Sequence, residues 1–322
     1  MQLRERPVPQ PAAGEVLLKI AQSGVNFADI MQHQGTYPIS LPLPYTPGME
    51  CVGTLSALGE GVTGLSVGDR VGGITFRAGT YAEYVVLPAA QVFPLPDEVD
   101  DHSALALLIQ GVTAYALLDY AAGLKAGETV LVHAAAGGVG NLAVQLARLL
   151  GAGTIFGTVG SAQKARLVGA LGVDYPINYR QESWEEVILA QTRQQGVDVI
   201  LDSVGGSALA GHLRCLAREG RLVSYGWLSG HCPALSPEQS QGMLFKNQSL
   251  TGFAVGIPLE RHPERVKGML GQLFGWFAEG KLRPVLGPRF ALGQAKEAHA
   301  AVLRGDTSGK VVLTSGSATG SG

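Results

Sequence analysis

Between residues 134 and 140 the chain reads Ala134-Ala135-Ala136-Gly137-Gly138-Val139-Gly140, a run with almost no side-chain bulk. It follows the apolar, β-rich stretch 129–133 and precedes 141–150, whose apolar residues repeat at helical spacing. A strand that turns through small residues into a helix turns backbone N–H groups and the positive end of the helix dipole toward an anion. The pattern Ala135-x-Gly137-x-x-Gly140 is the dinucleotide fingerprint with alanine in place of its first glycine. Small residues serve the tight turn, the close approach of a pyrophosphate and the packing of helix on sheet. A glycine fingerprint alone is weak, but a second strand, 155–159, follows here, which is the context the motif requires. Ala135, Gly137, Gly138, Val139 and Gly140 are therefore the expected pyrophosphate site.

The second strand also bears on which dinucleotide binds. An NAD site carries Asp or Glu about 20 residues past the glycines to hold the ribose 2′-hydroxyl. Counting on from Gly137 reaches Gly157-Thr158-Val159-Gly160-Ser161, with no acid, and Lys164 stands just beyond. Ser161, Lys164 and Tyr179 can donate to a 2′-phosphate that a carboxylate would repel. This favours NADPH, with Gly160 allowing close approach. The plainer reading of Lys164 is a solvated lysine near a helix start.

The elements that must position these residues follow from texture. The chain has 322 residues, 46% of them apolar and 16% charged, with 45 glycines, which predicts two well-buried domains. A formal net charge of −2 excludes a basic nucleic-acid footprint. The richest apolar stretch, 104–118, contains Gln110 and is read as a buried helix; no uninterrupted apolar run reaches the roughly 18 residues of a membrane span. Three scattered cysteines (Cys51, Cys215, Cys232) and an N-terminus without an apolar signal core point to a reducing, cytoplasmic setting.

Residues 1 to about 112 read as short strands (16–20, 52–58, 70–74, 81–87) between Gly and Pro turns, a barrel-like β domain. Beyond that point strands alternate with helices (129–133, 141–150, 155–159, 163–171, 197–202, 221–225, 249–254), which predicts an α/β fold with a doubly wound parallel sheet. Helices at 263–279 and 292–303 and a strand at 310–313 complete the chain, and the tail 315–322 reads as disordered. The expected domains are 1–112 with 255–322, and 113–254.

The segments Ser23-Gly24-Val25-Asn26-Phe27-Ala28-Asp29, Tyr45-Thr46-Pro47-Gly48-Met49-Glu50, Gly68-Asp69-Arg70-Val71, Gly111-Val112-Thr113-Ala114-Tyr115, Val132 to Gly140, Ile177-Asn178-Tyr179-Arg180 and Asp202-Ser203-Val204-Gly205-Gly206 together span nearly the whole chain. As a set they resemble the medium-chain dehydrogenase/reductase superfamily, and within it the quinone oxidoreductase (zeta-crystallin-like) group. The resemblance implies a Rossmann NADP-binding domain and a GroES-like catalytic domain. It places Ser203, Val204, Tyr225, Gly226 and Phe253 at the cofactor and implies a homodimer through the sheet edge near 249–255. It also implies a further strand ahead of the proline-rich segment, where only Met1 to Arg6 stand; a shortened start and an excised module are the two readings.

Zinc-dependent members of the superfamily bind catalytic zinc through two Cys and one His. Asn26, Met49 and Ile109 stand at the matching positions, and amide, thioether and alkyl groups do not supply that ligation. The resemblance thus implies a zinc-free enzyme passing hydride from NADPH to a quinone or an α,β-unsaturated ketone, which delocalises the arriving charge. Asn26, Tyr37 and Thr113 are the expected catalytic residues: an amide toward the acceptor oxygen, a pocket phenol and a hydroxyl beside the nicotinamide. Against these stand a turn asparagine, a packing tyrosine and a capping threonine. The enoyl reductase modules of polyketide synthases, acting on acyl thioesters, resemble the same motifs. A structural or regulatory NADPH-binding protein with little turnover is the alternative of another class. No nucleic-acid or membrane partner is expected.

Overall fold

In the computed structural model, which describes residues 1–315, the strands run in chain order β1 (Glu15–Val25), β2 (Glu50–Leu58), β3 (Arg70–Ile74), β4 (Tyr84–Pro88), β5 (Val92–Pro94), β6 (Thr129–Val132), β7 (Thr154–Val159), β8 (Tyr175–Asn178), β9 (Val197–Asp202), β10 (Leu216–Ser224), β11 (Ser249–Gly252), β12 (Leu286–Ala291) and β13 (Lys310–Thr314). Contacts divide the chain into two units. The first comprises Met1–Gln110, Leu270–Gly280 and the chain from Pro284; the second comprises Gly111–Met269 and Lys281–Arg283.

In the first unit a mainly antiparallel sheet runs β12-β13-β1-β2-β3-β5, with β4 also paired to β1. Strand β1 is long enough to serve three partners, and register shifts at Leu17/Leu18 and Ile20/Gln22 bend it between them. Its alternation puts Val16, Leu18 and Ile20 into a core with Cys51, Leu55, Val71, Val85, Leu87 and Val92.

The second unit has a wholly parallel sheet in the order β11-β10-β9-β6-β7-β8. This is the doubly wound arrangement, and its strand order reverses between β6 and β9, where such sheets open a crevice for ligands at their carboxyl ends. Leu131, Phe156, Ile177, Ile200 and Leu222 form the core behind that edge. Gln145 extends the unit past residue 254: its amide donates to the Arg283 carbonyl at 3.0 Å and accepts from the Arg283 N–H at 2.9 Å.

The stretch Asp101–Ala122 is helical throughout, capped by Asp100 and kinked at Leu108, where ψ is −107°. Its length and composition would suffice to cross a membrane, but most of it is buried within the protein. Strand β12 lies where the sequence reads as loop. Of the tail expected to be disordered, Ser315 is held by the Ala21 carbonyl at 3.1 Å, and residues 316–322 lie outside the described residues.

Candidate functional site

Strand β6 ends at Val132, and the helix Gly138–Leu149 starts five residues later. The turn between them is tied to β7 by the Ala135 N–H, which donates to the Thr158 carbonyl at 3.0 Å. Ala134 takes the left-handed conformation (φ 50°), and Ala135, at the first fingerprint position, is wholly buried. Gly140 has no substitute: a Cβ there would lie 2.3 Å from the Ala134 carbonyl oxygen and 2.8 Å from the Ala135 Cα. The helix opens at Gly137 without a side-chain cap, and Asn141 Nδ2 donates to the Gly137 and Gly138 carbonyls at 2.7 and 2.8 Å. The turn thus offers helix-start amides and a bulk-free surface to an anion.

The other residues expected to hold a cofactor lie along the same edge of the sheet. Gly160 and Ser161 follow β7, and Ser161 Oγ caps the helix Ala162–Ala170 by accepting from the Lys164 N–H at 3.2 Å. The β7–β8 register pairs Val159 with Asn178, which brings Tyr179 beside Gly160; a Cβ at Gly160 would sit 2.8 Å from the Tyr179 hydroxyl. That Cβ would also lie 3.6 Å from Nε of Arg180, a cation the sequence reading did not assign to the site. After β9, Asp202 Oδ1 accepts from the N–H groups of Val204 and Gly205 at 2.7 and 3.1 Å, folding the loop that carries Ser203. The Tyr225 N–H donates to the Asp202 carbonyl, and the Phe253 N–H to the Ser224 carbonyl, each at 2.9 Å. Burial pushes the Tyr225 phenol up to about 12. Gly226 lies against Ser203: its added Cβ would be 3.2 Å from the Ser203 carbonyl oxygen.

His133, next to the turn, meets a partner that no sequence spacing suggested. Its Nδ1 is 2.8 Å from Thr158 Oγ1 and its Nε2 is 2.9 Å from His212 Nε2. Burial pushes both imidazoles down, His212 to about 4, so the 3.9 Å approach of His212 to Asp202 is a contact of a neutral ring.

The first unit holds Asn26 and Tyr37; Thr113 is buried in the second unit. Asn26 opens the helix Phe27–Gln34, but its side chain does not cap it. Asp29 Oδ2 ties that turn by accepting from the Asn26 N–H at 2.8 Å. The Asn26 side chain instead joins a buried polar cluster. Its Nδ2 donates to Glu50 Oε1 at 2.7 Å, while its Oδ1 accepts from Lys310 Nζ at 3.1 Å and from Gln110 Nε2 at 3.3 Å. Lys310 and Glu50 form an ion pair in which both side chains are wholly buried, and Glu50 Oε2 accepts from the Ile109 N–H at 2.9 Å. Burial raises Asp29 to about 7, and Tyr81 donates to its Oδ2 at 3.3 Å. Tyr37 is half-buried, and burial, then the Asp29 carboxylate, raises its phenol.

Among the described residues no group of three or more His, Cys, Asp or Glu side chains is placed to hold a metal ion. Around the positions expected for zinc ligands stand the bonded Asn26 amide, the buried Met49 thioether and the Ile109 alkyl chain, with Glu50 already engaged by Lys310. That set does not fit Zn²⁺.

A family model described as alcohol dehydrogenase GroES-like domain matches residues 12–97, and one described as zinc-binding dehydrogenase matches 171–313. The quinone oxidoreductase of Pseudomonas aeruginosa is 36% identical over 315 residues, covering 97% of this chain and 95% of that protein. The chain belongs to the quinone oxidoreductase family of the medium-chain dehydrogenases/reductases. Another family relative, the human synaptic vesicle membrane protein VAT-1 homolog, is 35% identical, covering 98% of this chain and 83% of that protein. Among solved structures, the Escherichia coli quinone oxidoreductase complexed with NADPH superposes with a TM-score of 0.90 at 32% identity, covering 97% of this chain and 95% of that one.

Proposed function

We propose that this quinone oxidoreductase family member is a zinc-independent NADPH-dependent enzyme that reduces quinones or α,β-unsaturated ketones. The observation that carries the reading is the donor set at Asn26, Met49 and Ile109, where amide, thioether and alkyl groups stand in place of metal ligands. A conjugated acceptor suits such a site, because its own π system takes up the charge that hydride delivery creates.

NADPH, when bound, supplies the hydride. Ala135, Gly137, Gly138, Val139 and Gly140 hold its pyrophosphate, and Gly160, Ser161, Lys164 and Tyr179 hold its 2′-phosphate. Ser203, Val204, Tyr225, Gly226 and Phe253 line the remainder, and Thr113 stands beside the nicotinamide. Asn26 donates to the acceptor oxygen, while Tyr37 packs against or donates to a flat acceptor. The enzyme works as a homodimer joined at β11, an edge strand of the parallel sheet. Leu244 and Phe245 stand in the helix just before that edge, 76% and 79% exposed, as surface a partner copy would cover.

Turnover of quinones, alkyl vinyl ketones and crotonyl-type thioesters, each with NADPH and with NADH, tests this reading. Preference for quinones or enones with NADPH is expected. Faster thioester reduction would move the assignment to an enoyl reductase, and tight NADPH binding without turnover of any acceptor to a binding protein.

A further inference from the structure

Lys310 is the least expected charge in the molecule. It heads β13, an apolar strand, yet its side chain is wholly buried. Taking an ammonium and a carboxylate out of water carries a desolvation cost that their attraction often fails to recover. A pair of this kind is therefore weak as a source of stability, and what it touches is informative. The pair is built in: a Cβ at Gly24 would fall 2.6 Å from Glu50 Oε1 and 2.7 Å from Lys310 Cε, so only glycine leaves room for it.

What it touches is Asn26. The ammonium faces the amide oxygen at 3.1 Å and the carboxylate faces the amide nitrogen at 2.7 Å. A flipped amide would set its NH₂ against the ammonium and its oxygen against the carboxylate, two repulsive contacts at once. Gln110 Nε2 adds a second donor on the oxygen side. The oxygen thus has two donors, one N–H is held by Glu50, and no other described residue engages the second N–H.

We infer that Lys310 and Glu50 are positioning residues that lock the Asn26 amide with its free N–H outward, which makes the site a hydrogen-bond donor for a carbonyl oxygen. The inference rests on the proposed reading of Asn26 as the residue that meets the acceptor. When hydride arrives at the acceptor's carbon, the displaced π pair moves onto that oxygen, the locked N–H stabilises the oxyanion, and a proton from water completes the reduction.

The test uses the neutral pair Lys310→Met/Glu50→Gln, which avoids a buried unpaired charge, alongside Asn26→Ala. The double variant is expected to keep its thermal midpoint and its NADPH affinity while kcat falls about 10- to 100-fold with KM little changed, part of the loss known for a direct oxyanion donor. A second readout does not require turnover. 4-Nitrophenol, whose absorbance reports its ionisation, is titrated on the NADP⁺ complex. The wild type is expected to bind the phenolate in preference, lowering the bound phenol's pKa, and the double variant to bring it back toward the free value. Unchanged kcat and unchanged nitrophenol ionisation in the double variant, with Asn26→Ala impaired, would overturn the lock and leave the reading of Asn26 standing. If Asn26→Ala is unimpaired as well, that reading fails too.

Discussion

His133 Nε2 and His212 Nε2 face each other at 2.9 Å although 79 residues separate them, and both rings are buried beside Trp184. An imidazole held at about 4 in the folded state and near 6.5 in the unfolded chain refuses a proton that the unfolded chain accepts. Stability is complete above pH 6.5 and declines as the pH falls toward 4. At pH 5 His212 alone costs about 2 kcal/mol. His133 and His299 act in the same direction, His299 also being pushed to about 4 by burial. Asp29 acts oppositely: raised to about 7, it loses stability as the pH rises from 3.8 to 7. Burial also raises Asp202 and lowers His33 and His102, so five histidines stand against two carboxyls, and denaturation midpoints are expected to drop from pH 7 to pH 5. His212→Gln, which keeps a hydrogen-bonding group toward His133, should shrink that drop by about a third to a half. An unchanged pH slope in this variant would show that the buried pair does not control it.

The cations near Gly160 give a cofactor prediction. Lys164→Ala is expected to weaken NADPH binding by about 1–3 kcal/mol and NADH binding scarcely at all, as for a charge-assisted contact to a phosphate. Arg180→Ala is expected to act in the same direction by a smaller amount, because the side chain is exposed. Calorimetric titration with both cofactors decides it, and equal losses for NADPH and NADH would contradict the 2′-phosphate assignment.

Gly140→Ala sets a methyl against the backbone of Ala134, which cannot rotate away. NADPH affinity is expected to fall more than about tenfold, since the helix start must shift from the turn. Gly169→Ala, whose added Cβ meets only Pro176 Cγ at 3.8 Å, is the control and should bind NADPH as the wild type does. Similar affinities for the two variants would show that the turn does not contact the cofactor.

Tyr37→Phe is expected to lower turnover several-fold without altering cofactor affinity, because its proposed partner is the acceptor and not the cofactor. Identical kinetics with quinones and enones alike would leave the phenol a packing role.

Phe245→Glu places a charge on the exposed apolar surface beside β11. Sedimentation is expected to show a dimer for the wild type and dissociation toward monomer for the variant. A monomeric wild type would remove the edge-strand dimer from the account.

The glycine turn between β6 and its helix is legible in the sequence because all its determinants are local: an apolar strand, small residues at fixed offsets and a helix. Arg180 was not, because its place beside Gly160 depends on the β7–β8 register, which aligns Val159 with Asn178. Strand β8 itself is masked by Pro176, which is tolerated because β8 lies at a sheet edge. The Lys310–Glu50 pair escaped for a similar reason. The two residues are 260 positions apart, and a lysine at the head of a strand reads as a solvated end. The one available signal was a charge immediately abutting an apolar strand at both positions, Glu50 after Met49 and Lys310 before Val311. His133, just past β6, and His212, in the helix Leu209–Cys215, likewise meet only through tertiary folding.

The central claim is metal-independent reduction of a conjugated carbonyl with NADPH. The most direct measurement is NADPH oxidation with a quinone or an alkyl vinyl ketone, before and after exhaustive chelation and again after adding Zn²⁺, with a primary alcohol and NADP⁺ as the reverse assay. The account predicts equal rates in all three metal states and no alcohol oxidation. Loss of activity on chelation with recovery on Zn²⁺, or turnover of the alcohol, would contradict it.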